Sequence, residues 1–239
     1  MSPGVGSGLP CRVRTLLVTL IILAAAAVGG DRVAEHVAVG KAEDRLAAHG
    51  VTDPQVDVAG FPFLTQLLSR HFGNVTMTGS AVEVNGTHAE RVQVRATDVD
   101  VPASGDATAG TVRATLLVPY QEVLDRSGLR GLEMSSAGGG DVRLRGSVQV
   151  FGSTVDVSTV GTVRARGHRI EVVPQSFELA GGGSVSGSLK TLLADRFGVS
   201  YTLRSLPHGV SVRRVAAGPD GFLVTLVGTD VTMDAATLR

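Results

Sequence analysis

The sequence predicts an α+β fold in which a long, curved antiparallel β-sheet has two to four helices packed on one face. Two observations lead to this prediction. Valines alternate with polar residues over most of the chain after Asn74, and glycine-containing turns separate the runs. Segments with helical spacing precede and interrupt these runs. The 239 residues have room for one such domain, over residues 31–239, behind a leader of residues 1–30.

The N-terminal segment has the order of a secretory leader. Arg12 and Arg14 precede an apolar run from Thr15 to Gly30 that ends in small residues. The run is shorter than the roughly 20 residues that a spanning helix needs. It is therefore either a signal peptide, cleaved near Ala27 or Gly30, or an uncleaved signal anchor with a transmembrane segment. In both cases the arginines predict that the body of the chain is exported to the cell envelope, in a periplasm-like space.

Composition argues against several classes of function. Lys+Arg and Asp+Glu are both 22, tryptophan is absent and aromatic residues are 4%. A nucleic-acid-binding protein normally has a basic excess and aromatic platforms for base stacking, so we expect no nucleic-acid partner. The single cysteine, Cys11, precedes the apolar run, so the exported body has no cysteine for a disulfide.

The first helix of the body is predicted over Asp31–His49. Val33, Val37 and Leu46 recur at helical spacing, charged residues fill the other faces, and Gly50 supplies a C-terminal cap. The apolar stripe is thin and rich in alanine. It therefore suits close packing against a sheet.

The segment Gly60–Leu68, with the sequence GFPFLTQLL, predicts a second helix. Pro62 suits its first turn, where a missing N–H does no harm, and Gly73 is expected to end it. The helix either plugs one end of the core or lines and gates an apolar cavity. We expect Phe63, Leu64 and Leu67 to face the apolar interior. The full set of candidate lining residues is Phe61, Phe63, Leu64, Leu67, Leu68 and Phe72.

Alternating runs from Asn74 onward predict the strands. Asn85-Gly86 marks a turn, and a change of phase between Ala96 and Val99 predicts a β-bulge that curves the sheet. Because valine is small, a sheet lined by it fills space incompletely, so a groove or tube is predicted beside the alternative of a solid core. The runs are Val82/Val84, Val92/Val94/Ala96, Val99/Val101, Thr111–Val118, Val142–Val150, Val155/Val157, Val163/Ala165, Ile170/Val172, Val210/Val212 and Leu223/Val227.

Further helices and turns punctuate the second half of the chain. Helices are predicted over Pro119–Leu129 and Leu189–Phe197, and loops over Ala137–Gly140 and Gly181–Gly183. The last two strands form a hairpin that turns at Pro219-Asp220-Gly221.

No pattern for catalysis or metal binding stands out. The histidines lack the three- or four-residue spacing of a metal site. The segment Gly183–Gly187 lacks the strand-to-helix context of a nucleophile elbow, and no glycine run has the lysine of a phosphate loop. We therefore expect no enzyme, no metal and no cofactor. The histidines are His36, His49, His71, His88, His168 and His208.

Three motifs together resemble a known family. They are GFPFLTQLL at Gly60–Leu68, VVPQSFEL at Val172–Leu179, and the terminal segment from Asp220-Gly221 to Val231. With the leader and the alanine-rich helix, they are similar to the LmeA-like family of actinobacterial envelope phospholipid-binding proteins over nearly all of the exported body. The segment Gly181–Gly187 departs from the family, because it is richer in Gly and Ser than the short apolar connection expected there.

The resemblance implies a tubular lipid-binding-like fold, with phospholipid as the partner and the six candidate lining residues in contact with it. It also implies a role in envelope lipid or lipoglycan maintenance, with mannan elongation as the family's context, and membrane association through the N-terminal segment. The alternative is a non-catalytic envelope scaffold that binds a partner enzyme through a sheet edge. A tube along the sheet would favour the lipid binder, and a closed core the scaffold.

The balance of charges predicts that the protein binds a lipid through its acyl chains and discriminates little between head groups. With 22 charges of each sign, the chain has no excess to attract anionic lipids. Four arginines alternate along two neighbouring runs and form either one basic patch or, as we favour, the solvated face of a hairpin. They are Arg143, Arg145, Arg164 and Arg166.

Overall fold

The computed structural model describes residues 11–84, 87–104, 106–127, 131–150, 153–179, 185, 187–203 and 206–233. It describes only the backbone of residues 11–28, 84, 87, 148, 150, 153, 188, 189, 192, 195 and 196. The helices are α1 (Cys11–Ala48), α2 (Phe63–Ser69), α3 (Tyr120–Ser127) and α4 (Ser188–Phe197). The strands are β1 (Val51–Thr52), β2 (Gln55–Ala59), β3 (His71–Val84), β4 (Thr87–Asp100), β5 (Ala107–Pro119), β6 (Leu132–Gly138), β7 (Asp141–Val150), β8 (Ser153–Arg166), β9 (Arg169–Leu179), β10 (Val199–Thr202), β11 (His208–Ala217) and β12 (Gly221–Met233).

The strands form two antiparallel sheets. The large sheet has the order β1-β3-β4-β5-β12-β11, and β2 pairs with β3 on the same side as β1. The small sheet has the order β10-β9-β8-β7-β6. One of the two sheets is curled into a half-barrel. The predicted α+β fold of curved antiparallel sheet and packed helices is confirmed, although the strands divide between two sheets.

The main core lies between the two sheets. Buried side chains of β5, β11 and β12 pack with those of the small sheet, α3 and α4. Two edge-to-face aromatic pairs lie within it, Tyr120 with Phe222 at 5.0 Å and Phe177 with Phe197 at 5.8 Å. Among the described residues, β2, β3 and β4 contribute none of its buried side chains. Half-buried Val94 of β4 and Val112 of β5 pack against it, so the first half of the large sheet lies beside this core and adjoins it at these two residues.

The predicted helices are present, but the second is shorter than expected. It ends at Ser69 and not at Gly73, because Arg70 adopts the left-handed conformation with φ of 58° and its N–H caps the last turn. Phe72 therefore lies in β3 and is not part of the helical stripe. The bounds of α3 and α4 agree with the predicted ones to within two residues in the described part of the chain.

Two predictions about strands and loops are wrong. Ala137–Gly140 is not a flexible loop, because β6 runs to Gly138, which pairs with Asp141 across a tight turn. The runs at 155–157 and 163–165 are parts of one strand, β8. Buried Thr159 stands between them and donates its hydroxyl to the carbonyl of Ser176 at 2.6 Å. The polar residue interrupts the apolar alternation without ending the strand.

The predicted bulge lies elsewhere in β4. The register against β5 continues without a shift between Ala96 and Val99, where Asp98 adopts φ of 52°. The shift falls between Glu90 and Gln93. A bulge in β4 is therefore present, but about six residues earlier than the phase change suggested.

Helix α1 runs without a break through residue 30, where the predicted leader ends. Within the residues whose side chains the structure describes, no helix is long and apolar enough to cross a membrane. The division into a leader and one domain stays a prediction. The predicted turn at Asn85-Gly86 and loop at Gly181–Gly183 lie outside the described residues.

Candidate functional site

The first half of the large sheet has one apolar face. Residues directly opposite each other on neighbouring strands point to the same face, and on β2, β3, β4 and β5 two adjoining rows are apolar. One row is Val58, Val75, Ala96 and Val112, and the other is Val56, Met77, Val94 and Ala114. Ala114 is buried and the other seven residues are half-buried. We call these seven the valine face: Val56, Val58, Val75, Met77, Val94, Ala96 and Val112.

The opposite face of the same strands is polar. The residues between the apolar positions pair in two rows of their own, Asp57, Thr76, Arg95 and Arg113, and Gln55, Thr78, Gln93 and Thr115. A sheet with this alternation has one face that favours water and one that favours a hydrocarbon environment.

The apolar rows continue onto β12 and β11, where their side chains are buried under the small sheet. Leu226 and Val212 extend one row and Val210 extends the other, and all three are buried in the main core. The small sheet covers them, since β11 packs against β6, β7 and β8. The apolar surface is thus continuous, with one end closed by protein and the valine face left partly accessible. Such a surface suits a long hydrocarbon ligand.

Helix α1 borders the valine face along β2. The Glu43 carboxylate accepts the N–H of Val56 at 2.9 Å, so it satisfies a donor on this edge strand. Val39 and Val56 line a cavity of about 270 Å³ between helix and strand. The polar rim of the cavity consists of Arg32, Glu35, His36 and Asp57.

Helix α2 is held at the end of the large sheet by a residue of α1. Pro62 supplies no side-chain cap. Instead, the buried carboxylate of Asp31 accepts the N–H of Phe63 at 2.9 Å and that of Leu64 at 2.7 Å. A carboxylate at this position satisfies two free N–H groups and complements the positive end of the helix dipole.

Gln66 ties α2 to the strands on either side of it. Its Nε2 donates to the carbonyl of Ala59 at 3.4 Å, and its Oε1 accepts the N–H of Gly73 at 3.3 Å. Gly60 has φ of 112°, and a Cβ there would lie 2.8 Å from the Gln66 amide. The glycine of the GFPF motif is therefore required by its conformation, whereas the Gln66 amide is the end of a flexible side chain that could move aside.

The structure separates the six candidate lining residues into two groups. Phe63 is 2% exposed and packs against half-buried Phe72, with ring centroids 6.3 Å apart. Leu64 and Leu67 are 38% and 41% exposed, so the prediction that they face the interior is wrong. The physical reason is that a two-turn helix at the end of a sheet is covered on one side. Phe61 and Leu68 are also exposed. Contact of any of the six with lipid stays a prediction.

The valine face was only partly identified from the sequence. Val94 and Ala96 belonged to a predicted strand, whereas Val56 and Val58 did not. Their alternation between Pro54 and Gly60 is a signal for the short strand β2. The pairing that brings these residues into rows follows from the register, which the sequence did not give.

The four arginines on β7 and β8 are not collected into one patch. Arg143 is opposite Val160, and Arg164 is opposite Glu171 on β9. The Nε of Arg166 lies 3.6 Å from the Glu171 carboxylate. Arg145 lines a surface cavity of about 490 Å³ that also contains Glu133, Asp156 and Glu178. Acidic residues therefore accompany three of the four arginines.

Titratable groups give no sign of a reactive centre in the part of the chain that the structure describes. No three His, Cys, Asp or Glu side chains there lie close enough to hold a metal. Burial, and to a smaller extent the charge of Asp220, raises the pKa of Tyr120 to about 12. Its hydroxyl donates to the carbonyl of Gly218 at 2.6 Å within the main core, so its role is structural.

A curled antiparallel sheet with packed helices and a continuous apolar face defines a tubular lipid-binding type of α+β fold. The chain belongs to the LmeA-like phospholipid-binding family, whose model matches residues 25–227. The resemblance seen in the sequence motifs is confirmed. The family is one of phospholipid-binding proteins and not a known class of enzyme. No curated protein and no solved structure matches the chain.

Proposed function

We propose that the protein holds the acyl chains of a phospholipid against the valine face, without catalysing a reaction. The observation that carries the proposal is the pair of apolar rows that continue from accessible positions on β2–β5 to sealed positions on β12 and β11. Membership of a phospholipid-binding family supports the choice of ligand.

The energetics of lipid extraction favour a ligand surface of this kind. A diacyl lipid that leaves a bilayer exposes about 30 CH₂ groups, each worth roughly 0.8 kcal/mol. The protein must replace almost all of this loss with apolar contacts. It needs a long surface without unpaired polar groups, and it needs no catalytic group.

The proposal includes a place of action. The basic and apolar order of residues 12–30 supports export, with the N-terminal segment as a signal peptide or a membrane anchor. Lipid binding there would serve the maintenance of envelope lipids or lipoglycans. An envelope scaffold that binds a partner enzyme is the alternative function.

Substitution at adjacent positions on opposite faces of β3 tests the proposal. Met77 lies on the valine face, and Thr78 lies on the polar face with a similar degree of burial. Met77→Gln keeps the side-chain length but places an amide against the acyl chain. We expect roughly tenfold weaker phospholipid binding, whereas Thr78→Gln binds as the unchanged protein does. Bound lipid is measured by solvent extraction and mass spectrometry, and folding by circular dichroism.

Two results would contradict the proposal. The first is equal phospholipid binding by the two variants, which would place the ligand off the valine face. The second is the absence of phospholipid from the unchanged protein, before and after incubation with vesicles, which would favour the scaffold.

A further inference from the structure

Helix α2 exposes a compact apolar surface at the end of the large sheet where β2 ends and β3 begins. Leu64, Leu67 and Leu68 lie on one side of the helix at i, i+3 and i+4 spacing, and Phe61 precedes them. Leu64 is 38% exposed, Leu67 41%, Leu68 83% and Phe61 58%. We call these four residues the α2 patch. Neighbouring large apolar side chains on a surface commonly mark an interaction site.

The α2 patch is fixed in place by the other side of the same helix. Phe63 is buried against Phe72, and Gln66 bonds to β2 and β3. The exposure of the patch is therefore a property of a well-anchored helix and not of a loose segment.

The location of the α2 patch points to its partner. Asp31, which bonds to the first two N–H groups of α2, is the residue directly after the apolar run that ends at Gly30. Because α1 continues unbroken from that run into Asp31, the hydrogen bonds hold α2 next to the end of the run. Val33 and Val37 add exposed apolar side chains on the next turns of α1.

The surrounding charges fit a phospholipid surface. Arg70 follows the last residue of α2 and is exposed, whereas Arg32, which follows Asp31, is paired with the Glu35 carboxylate at 2.7 Å. Arginines beside an apolar helical face can bind lipid phosphates while the apolar side chains enter the acyl region. A second copy of the chain would bring its own Arg70 to the same charge across a symmetric contact, which is less favourable.

We infer that the α2 patch docks into the interfacial layer of a phospholipid bilayer and orients the valine face toward it. The inference rests on the proposed function, in which the N-terminal segment brings the protein to the membrane. In this orientation, Val58 and Val75 are the members of the valine face nearest α2, since Ala59 pairs with Asn74 just before the strands reach the helix. Acyl chains that leave the bilayer at the α2 patch would then reach the sheet at the end that carries Val58 and Val75.

The chain offers a matched control at the far end of the large sheet. Leu223 on β12 is 51% exposed, an exposure similar to that of Leu67. The α2 end of the sheet is level with Thr232 on β12. The register shows this through three successive pairs, His71 with Asp100, Asp100 with Thr108, and Thr108 with Thr232. Nine residues of strand separate Thr232 from Leu223, which is roughly 30 Å at 3.3 Å per residue.

The test uses the full chain with Cys11→Ser and one new cysteine, Leu68→Cys or Leu223→Cys, labelled with an environment-sensitive fluorophore. Each protein is reconstituted into vesicles of equal parts phosphatidylethanolamine and phosphatidylglycerol, with or without brominated acyl chains as quenchers. We expect bromine to quench the probe at position 68 and to leave the probe at position 223 unchanged. A Leu67→Ser/Leu68→Ser double variant should slow lipid uptake from the vesicles, and Leu223→Ser should not.

Unquenched emission at position 68 overturns the inference, as does equal quenching at both positions. Self-association that Leu68→Ser abolishes, with position 68 unquenched, would assign the patch to a contact between copies. Phospholipid bound to each purified protein is measured by extraction in the same samples. Bound lipid without quenching at 68 refutes the docking surface alone, whereas quenching without bound lipid refutes the proposed lipid site alone.

Discussion

The carboxylate of Asp31 is hydrogen-bonded to the backbone N–H of Phe63, at 2.9 Å, across 32 positions of the chain. This bond and the one to Leu64 join the long N-terminal helix to the short helix of the GFPF motif. Asp31 is one of the two buried polar residues among those described, the other being Thr159. Its burial is explained by the two N–H groups that it satisfies.

Removal of the Asp31 carboxylate should destabilise the α2 end of the protein. We expect Asp31→Ala to lower the free energy of unfolding by about 1–3 kcal/mol, because it leaves two N–H groups without acceptors. Asp31→Asn retains one acceptor and should have a smaller effect. The control is Asp44→Ala on the exposed side of α1, which should change stability by less than about 0.5 kcal/mol. Equal results for Asp31→Ala and Asp44→Ala in urea denaturation would contradict this account.

Phe63 and Leu68 should differ in their contributions to stability although they belong to one helix. Phe63 is 2% exposed and Leu68 is 83% exposed. Phe63→Ala should cost about 3–5 kcal/mol, since it empties a buried site. Leu68→Ala should cost less than about 0.5 kcal/mol. Chemical denaturation measures both, and a cost below about 1 kcal/mol for Phe63→Ala would show that its site can collapse.

The same helix shows what a local pattern predicts and what it leaves open. The spacing of the apolar residues in GFPFLTQLL predicts a helix with an apolar side, and α2 confirms this prediction. The pattern does not say that the neighbouring sheet covers Phe63 and leaves Leu64 and Leu67 outside, because that depends on Asp31, which is 32 positions away. The hairpin of β11 and β12 was predictable, since a Pro-Asp-Gly turn between two apolar runs specifies it locally. The predicted phase of β12 was wrong, because Val224 and Leu226 are buried and Leu223 is 51% exposed.

Tyr120 should give the protein a pH dependence in the alkaline range. Burial, followed by the charge of Asp220, raises its pKa to about 12, against 10.0 for the free side chain. The folded state therefore holds the proton more tightly than the unfolded state. Its stabilising effect is complete below about pH 10 and is lost as the pH rises toward 12. The chain has two tyrosines, so in a Tyr201→Phe variant the phenolate absorbance near 295 nm reports Tyr120 alone. Titration near pH 10 in the folded variant would refute this expectation.

Export depends on the first 30 residues in our proposal. A fusion of residues 1–40 to a reporter that is active only outside the cytoplasm should be active, because two arginines precede the apolar run. Replacing Leu17 and Ile21 with aspartate in the fusion should abolish that activity, since charges in the run prevent its insertion. Activity from a cytoplasm-dependent reporter with the unaltered segment would contradict export.

The last prediction concerns the lipid head group. Arg166 lies beside Glu171, and Arg164 is opposite the same glutamate in the register of β8 and β9. An exposed arginine with a carboxylate at this distance contributes little field to attract an anionic lipid, and salt screens what remains.

We therefore expect binding to follow the acyl chains and to be nearly indifferent to head-group charge. Substituting Arg164 and Arg166 together with glutamine should leave the affinities for phosphatidylglycerol and phosphatidylethanolamine about equally unchanged. Added salt should have little effect on either. The measurement is competition between the two lipids in vesicles, with extracted lipid quantified by mass spectrometry. Met77→Gln supplies the contrast, because it should weaken the binding of both lipids together. A selective loss of phosphatidylglycerol in the arginine variant would place a head-group site on β8, since only a specific ionic contact would distinguish the two lipids.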